Sequence, residues 1–485
     1  MYARATSFAV SSRMIRYASM HNANLLKIQD EISSGIKITK SSDNPLAFRQ
    51  ITALETNLQQ LDAAGYVINE AQSKLNVSVS QLQEFHRLLA DAKRIAQEGV
   101  QSLSPADRNA LALEAEGVLT QMKQIANSEF TGQFLFGGAR SDKQPYSFGN
   151  SAIAGRSLDV NYAGVDESGQ SVISAGIQAE TLYSGPRIFD ANNRSATVIY
   201  GKSGVQVGSG TDSLKGRADL QIRHTLTTYL GTSGVQTGTS SVAKDSVIGQ
   251  VGKHQLTIVD TSGTGAFGTV SLNGGPAIAF NNTMTDLEVT GSTGEKVFVN
   301  TTAIAAGFNG NVDLTGAGTF SVDNGASTTN IDFSANQIVT DAATGKHVTI
   351  NSANVSRTGN DHLDFPGTSN AFQAVYELIQ DLRGTRTLDS SQFAESLGRR
   401  MNELDSLGDR VLVSVGLQST TLEGLQRLQT RNEDLTFEIE SQLSGLQSTD
   451  IAEAVVRLRN EQNLQQYTYL AATQIMSQSL IDFLR

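Results

Sequence analysis

From Ile451 to the C-terminus, residues Ile451, Val455, Leu458, Gln462, Gln465, Tyr469, Ala472, Met476, Ser479 and Phe483 recur at alternating steps of four and three. These are the a and d positions of a heptad, and a segment with that period buries its apolar side only as a helix lying along another helix. A second stripe, Leu464, Leu470, Leu480 and Leu484, lies off this seam. One partner helix would leave it in water, so more than one partner is implied. Near the N-terminus, Val10, Met14, Tyr17, His21, Leu25, Ile28 and Ile32 step by 4, 3, 4, 4, 3 and 4, a heptad with one stutter. The two ends can pair with each other. Gln462, Gln465, Ser479 and His21 stand where a stable isolated coiled coil places Leu or Ile, so the pair is weak alone. Two readings stay open: ordinary bundle helices of a monomer, or ends that order only when neighbouring subunits cover both stripes.

Between these ends the composition changes twice. From Met1 to about Phe136 the chain is rich in Leu, Ala, Gln, Glu and Ser and nearly free of proline, which predicts long helices. From about Gly137 to Asn360 it turns to Gly, Ser, Thr, Val and Asn and holds about three-quarters of the 44 glycines. That stretch carries alternating runs such as His254-Gln255-Leu256-Thr257-Ile258-Val259, the pattern of half-buried strands. From about Ser369 to Arg485 the first composition returns. The expected fold class is α+β, with long N- and C-terminal helices forming an α-helical coiled-coil bundle and a β-rich, Gly/Ser/Thr-rich central region. Helix starts are expected at Ser42-Asp43-Asn44-Pro45, at Ser104-Pro105-Ala106-Asp107 and at Asp450-Ile451-Ala452-Glu453, each with a capping side chain.

Chemistry is harder to find. With no cysteine among 485 residues there is no disulfide framework, thiolate zinc site or cysteine nucleophile. A net charge of −11 without any basic run argues against a nucleic-acid or anionic-membrane binder. No run of about 18 apolar residues occurs, and Met1 to Ser12 lacks the layout of a secretory signal. The expectation is a soluble chain that, if exported, leaves by an unusual route. The six histidines are scattered, with no pair at i, i+4. Gly263-Thr264-Gly265-Ala266-Phe267-Gly268 matches a dinucleotide fingerprint letter for letter but leads into a strand-like run, so it reads as a turn. Asp323-Asn324-Gly325 lacks the later Glu of a calcium loop. No catalytic residue, metal ligand or cofactor is nominated, and the chain is read as no enzyme.

Several segments resemble a known family. Leu26-Lys27-Ile28-Gln29-Asp30-Glu31-Ile32-Ser33-Ser34-Gly35-Ile36-Lys37-Ile38, then Ser41-Ser42-Asp43-Asn44-Pro45-Leu46-Ala47, is similar to the Leu-Ser-Ser-Gly-Lys-Arg-Ile and Asp-Asp-Pro-Ala region of bacterial flagellins and hook-associated proteins. Gly132-Gln133-Phe134-Leu135-Phe136-Gly137-Gly138-Ala139-Arg140-Ser141-Asp142, with Pro145-Tyr146, resembles the hook–filament junction family, hook-associated protein 3, rather than flagellin. Tyr162-Ala163-Gly164 and Ser184-Gly185-Pro186-Arg187-Ile188-Phe189 resemble the start and finish of that family's small β domain, and Ser479-Leu480-Ile481-Asp482-Phe483-Leu484 its ending. The resemblance covers about residues 1–190 and 365–485. It leaves about 190–360 as an expanded or inserted part. The chain begins Met1-Tyr2-Ala3-Arg4, where the family commonly has Met-Arg-Ile-Ser.

The resemblance implies a structural component of the bacterial flagellum that forms the junction between hook and filament and primes filament assembly. It implies secretion through the flagellar type III export apparatus without a cleaved signal peptide, and an extracellular location at the junction. The implied partners are a ring of copies of the chain itself, a neighbouring hook-associated protein on the hook side, flagellin on the filament side and an export chaperone at the C-terminal helix. No nucleic acid and no membrane are expected. The implied organisation is a coiled-coil arm (1–45), a helical rod (46–140 and 365–450), a β-rich outer region (141–364) and a C-terminal coiled-coil helix (451–485). The assembly interface would comprise Val10, Met14, Tyr17, Leu25, Ile28, Ile32, Ile451, Val455, Leu458, Tyr469, Ala472, Met476, Leu480, Phe483 and Leu484. An atypical flagellin forming the filament itself, or a shaft protein with an adhesin-like binding insert, are the alternatives.

Overall fold

The computed structural model describes residues 2–101, 104–151, 155–174, 176–241 and 251–483. Seven helices are described: α1 (Tyr2–Ser34), α2 (Pro45–Gln101), α3 (Pro105–Ala126), the short α4 (Gly185–Phe189), α5 (Ala371–Leu382), α6 (Ser390–Gln447) and α7 (Ile451–Phe483). All described strands fall between α3 and α5, so the fold is α+β with helices at both ends and a β-rich middle.

Helix starts follow local chemistry. Asn44 accepts the Ala47 N–H at 3.2 Å ahead of Pro45, which heads α2 where its missing N–H costs nothing. Ser104 caps α3 through the N–H groups of Ala106 (3.1 Å) and Asp107 (3.4 Å). Asp450 accepts from Ala452 and Glu453 at the head of α7. α5 carries a full capping box, with Asn370 and Gln373 bonded reciprocally.

The chain forms two compact units. The first, residues 1–72, 171–179 and 423–485, contains α1, the start of α2, the end of α6 and α7. There Ile38, Ala47 and Ile51 pack with Phe48, Leu443 and Leu446, and Asn432 Nδ2 donates to the Leu61 carbonyl at 2.9 Å. The second unit, residues 73–170 and 180–422, holds a helical bundle and nearly all the strands. In its part of α2, Leu75, Leu82, Phe85, Leu89, Ala92 and Ala96 are buried at steps that keep one face inward. Lys93–Asp405 (2.7 Å) joins α2 to α6, and Arg383–Glu116 (2.7 Å) joins α5 to α3.

The β region of this unit is built on an eight-stranded sheet centred on two long antiparallel strands, Gly216–Tyr229 and Asn309–Ser321. A register shift at Ala317/Gly318 interrupts their pairing. Two separate cores flank it. One includes Leu214, Leu220, Ile222, Phe320, Val348 and Phe365; the other includes Leu256, Ile258, Leu272, Val289, Val299 and Leu314. Each core lies between part of the large sheet and a three-stranded sheet, the arrangement of a small sandwich. The glycine-rich stretch thus makes two lobes, with strand Val198–Tyr200 paired to strand Gly359–Phe365 where the chain enters and leaves.

Leu82 is fully buried, and Leu82→Ala is expected to cost about 3 kcal/mol, from lost transfer energy plus a cavity. Urea denaturation followed by far-ultraviolet circular dichroism measures it; a change under 1 kcal/mol would mean that this face is not core.

Candidate functional site

α1 and α7 run antiparallel along each other in the first unit. His21 Nδ1 and Asn24 Nδ2 meet Glu461 Oε1 at 2.7 and 2.9 Å, Arg457 Nη2 meets Glu31 Oε2 at 3.1 Å, and Ile36 bridges Ser448. The hydrogen bonds from His21 and Asn24 hold the Glu461 carboxyl below its ordinary value. Among the buried and half-buried residues, Met14, Ala18, His21, Leu25, Ile28 and Ile32 on α1 and Ala454, Leu458, Glu461, Gln465, Thr468 and Ala472 on α7 form one run each, with Glu31 on α1 and Val455 and Ala471 on α7 beside them. Both sets step by four and three without interruption. Ala18 rather than Tyr17 faces inward, so from Met14 to Ile32 the steps are 4, 3, 4, 3 and 4.

Of the residues nominated for assembly, Leu25 and Ile28 are buried, Met14, Ile32, Val455, Leu458 and Ala472 are half-buried, and Tyr17, Ile451 and Tyr469 are exposed. Leu484 lies outside the described residues, as do the side chains of Val10, Met476, Leu480 and Phe483. The outer faces of the pair carry large apolar side chains among polar ones. Ile15, Met20 and Leu26 on α1, and Val456, Leu464, Tyr467 and Leu470 on α7, each expose about half or more of their surface. Two helices that fulfil each other's heptads still present this much apolar surface to water, a surface suited to further helices.

A different concentration of chemistry lies in the second unit, where Arg217, Arg386 and Arg400 meet Asp364, Glu377, Asp381 and Glu403, all buried. Arg386 bonds Asp364 at 2.9 Å and Asp381 at 2.7 Å, Arg217 bonds Asp381, and Arg400 bonds Glu377 and Glu403. The remaining lone pairs are met by Ser157 and Ser369 on Glu377, Ser396 on Asp381 and the Gly367 N–H on Glu403. Burial alone would raise the Asp381 carboxyl; Arg217, Arg386 and Arg400 overcome it and hold the group at about 2. The same carboxylates push the Arg400 guanidinium up, although its burial acts the other way. Seven charges with every carboxylate engaged make a structural joint: it ties two strands of the β region to α5 and α6.

The short motifs converge in the same unit. The Gly185 N–H donates to the Phe136 carbonyl (3.0 Å), Gly138 to Tyr183 (3.2 Å) and Val165 to Gly137 (3.0 Å), and the Tyr162 hydroxyl donates to Phe136 (3.2 Å). Gly138 has φ of 66°, and a side chain there would strike the Val165 carbonyl. Phe85, Phe136, Tyr146, Phe189 and Phe372 close the space beneath, with ring centroids 4.5–5.9 Å apart in their contacts. The fingerprint-like glycines form a turn around the chain's own Asp260, whose carboxyl is held at about 2 first by the Ser262 hydroxyl and then by the N–H groups of Gly307, Gly265 and Ser262. Asp323 is held likewise by Ser321 and Ser327. His254 donates to the Val251 carbonyl and His362 pairs with Asp219 at 2.6 Å. Among the described residues no group of three or more His, Asp or Glu is placed to hold a metal, and no helix is long and apolar enough to cross a membrane.

A helical region at each end, with α1 and α7 paired antiparallel, defines the class of protein: a chain whose two helical ends pair and flank a β-rich middle. Residues 7–141 match the family model of the bacterial flagellin N-terminal helical region. The flagellar hook-associated protein 3 of Salmonella typhimurium is 27% identical over 126 residues, 26% of this chain and 40% of the relative. The flagellar filament 41 kDa core protein of Borreliella burgdorferi is 26% identical over 113 residues, 23% of this chain and 34% of that protein. The matches span less than half the length of either relative. Among solved structures, the flagellar hook associated protein-3 of Legionella pneumophila aligns over 82% of this chain and 98% of its own, at 18% identity and a TM-score of 0.41.

Arg400→Met, which leaves Glu377 and Glu403 buried without their partner, is expected to cost roughly 3–5 kcal/mol in urea melts. Because the folded-state value of Asp381 is depressed, its stabilisation is present above the ordinary carboxylate range and is lost as pH falls through about 2. Stability should therefore fall between about pH 4 and pH 2, and Asp381→Asn should flatten that slope; an unchanged slope would remove Asp381 from the charged network.

Proposed function

We propose that this chain is a structural component of the bacterial flagellum, a hook-associated protein at the junction of hook and filament on which filament growth starts. The observation that carries the reading is the flagellin-type N-terminal region, whose first helix pairs with the last helix of the chain and leaves large apolar side chains exposed on both. The named relative from Salmonella supports the junction assignment. The Gln133–Tyr146 segment supports it too, by its resemblance to the hook–filament junction family.

In this reading the arms, 1–45 and 451–485, assemble with a ring of copies of the chain, with a hook-associated protein on one side and with flagellin on the other. Before export the C-terminal helix is covered by a chaperone. The rod (46–140 and 365–450) supports the β region, 141–364, as the outer surface, outside the cell and delivered without a cleaved signal. Nothing in the buried charge network, the turns or the histidines is arranged for catalysis, so the role proposed is mechanical and architectural. The filament-subunit reading is favoured by one observation, the likeness to the Borreliella filament core protein over the same N-terminal region.

Counting the chain in sheared flagella by quantitative mass spectrometry, against hook protein and the major filament protein, decides between them. A count far below the hook protein is the expected result; a count far above it would make the chain a filament subunit, and absence from the shaft would end both readings. Leu470, exposed on α7, supplies a second test. Leu470→Asp should leave the thermal unfolding of the isolated chain unchanged and abolish its incorporation into the shaft, because assembly would bury an unpaired charge. Normal incorporation would take this face out of the interface.

A further inference from the structure

The two lobes of the β region meet at a buried histidine. His254 stands near the head of strand Gly252–Asp260 and is 6% exposed. Its Nε2 lies 2.7 Å from the carbonyl of Val251, a residue of the inner core. Its Nδ1 lies 3.1 Å from the amide nitrogen of Asn273, in the turn that follows strand Phe267–Leu272 of the outer lobe. Asn273 Nδ2 also donates to Glu295 Oε1 at 2.7 Å, and the second Glu295 oxygen accepts from the Thr293 N–H (3.0 Å) and hydroxyl. The Thr293 carbonyl in turn accepts from Arg357 at 3.3 Å, just ahead of strand Gly359–Phe365, whose Leu363 and Phe365 belong to the inner core. One network of hydrogen bonds thus crosses from the inner lobe to the outer and back.

The partners fix every proton in this network. A carbonyl can only accept, so His254 Nε2 carries its hydrogen. Asn273 Oδ1 accepts the Gln255 N–H at 3.0 Å while its Nδ2 faces a carboxylate, so turning the amide over would set like groups against each other twice. Nδ1 is therefore an acceptor, and only the neutral ring fits. A proton on Nδ1 would put an N–H against the Asn273 amide hydrogens. Burial pushes the His254 ring below its ordinary value, although the Val251 carbonyl and Glu295 favour the charged form. Glu295 is the charged group that faces the ring, through Asn273, and Arg357 lies beyond Thr293. Leu314, opposite His254 on strand Asn309–Ser321, brings no charge, and the exposed Lys253 points to the other face of the sheet. Burial would raise the Glu295 carboxyl, but the bonds from Thr293 and Asn273 hold it below its ordinary value, so it stays ionised where a histidine titrates.

We propose that this network is an acid-released latch between the lobes: protonation of His254 breaks its bond to Asn273, and the turns at Asn273 and Thr293 part from the inner lobe. The latched ring binds its proton more weakly than a free one, so the latch contributes fully above the ordinary histidine value of about 6.5 and is lost as pH falls below it. The carboxylates of this lobe with depressed values, Asp260 and Glu295, act in the same direction only at lower pH. The latch is independent of the assembly role proposed above and survives its failure.

Hydrogen–deuterium exchange of the full-length chain, read by mass spectrometry at about pH 7.5 and about pH 5.5 with labelling times matched for intrinsic exchange, tests it. Peptides covering 272–281 and 291–300 should lose protection about tenfold at the lower pH, while 216–222 and 359–365 keep theirs. His254→Gln retains a donor for Val251 and an acceptor for Asn273 but takes up no proton, so its protection should be equal at both pH values. Asn273→Gly suits the left-handed turn, φ 47°, and removes the amide, so these peptides should be open at both. Unchanged protection of the parent on acidification, the same acid loss in His254→Gln, or an acid loss that persists in Asn273→Gly would overturn the proposal.

Discussion

Seven charged side chains buried together at the foot of the β region constrain the larger unit more than any hydrophobic contact does. Taking ions out of water costs several kcal/mol each, and only a complete set of partners returns it. Arg217 and Asp364 come from strands, Glu377 and Asp381 from α5, Arg386 from the following loop, and Arg400 and Glu403 from α6. Each arginine bridges at least two of the carboxylates, so the inner lobe and the helices beneath it are cross-linked through the same cluster. Smaller features follow from this. Ser157, Ser369 and Ser396 are buried hydroxyls because Glu377 and Asp381 have lone pairs to fill. The outer core around Leu256 and Val299 contains none of these charges; its buried polar groups include Asp260, Glu295 and His254, each hydrogen-bonded within the same lobe.

The terminal helices obey the opposite logic. Their seam holds His21, Gln465, Thr468 and small alanines where a self-sufficient coiled coil would carry Leu and Ile. The seam is specified by polar pairs, His21–Glu461 and Glu31–Arg457, more than by burial. The large apolar side chains, Tyr467, Leu470 and Ile15 among them, point away from the pair. The pair buries Leu25 and Ile28 but leaves these large side chains in water, which is costly unless neighbours cover them. That is the physical link between this seam and the assembly role proposed for it.

Much of this was legible in residue order. Caps at Asn44, Ser104 and Asp450 act over two or three residues, so their positions could be read directly. The change to a glycine-rich, alternating composition marked the β region for the same local reason. The glycine motifs were legible as motifs but not as causes: that Gly138 must clear the Val165 carbonyl, and that Gly185 must sit against Tyr146, depends on segments far apart in the chain. Tyr17 was taken for a seam residue because spacing alone admits two registers there. Packing chose Ala18, which is half-buried, and left Tyr17 half exposed.

The sequence by itself determined where helices begin, which ends carry heptads, and that no thiol or paired-histidine chemistry was available. Those properties depend on neighbours within a turn or two, or on composition. Only the tertiary structure decided which charges are buried together, that the middle makes two cores on one sheet, and that His254, Asn273 and Glu295 share one hydrogen-bond network. Arg217 meets Asp364 and Asp381, and strand Val198–Tyr200 meets Gly359–Phe365, across well over a hundred positions, and no local period records such a distance. Burial, which sets the worth of every charge and hydroxyl, is a property of the folded whole.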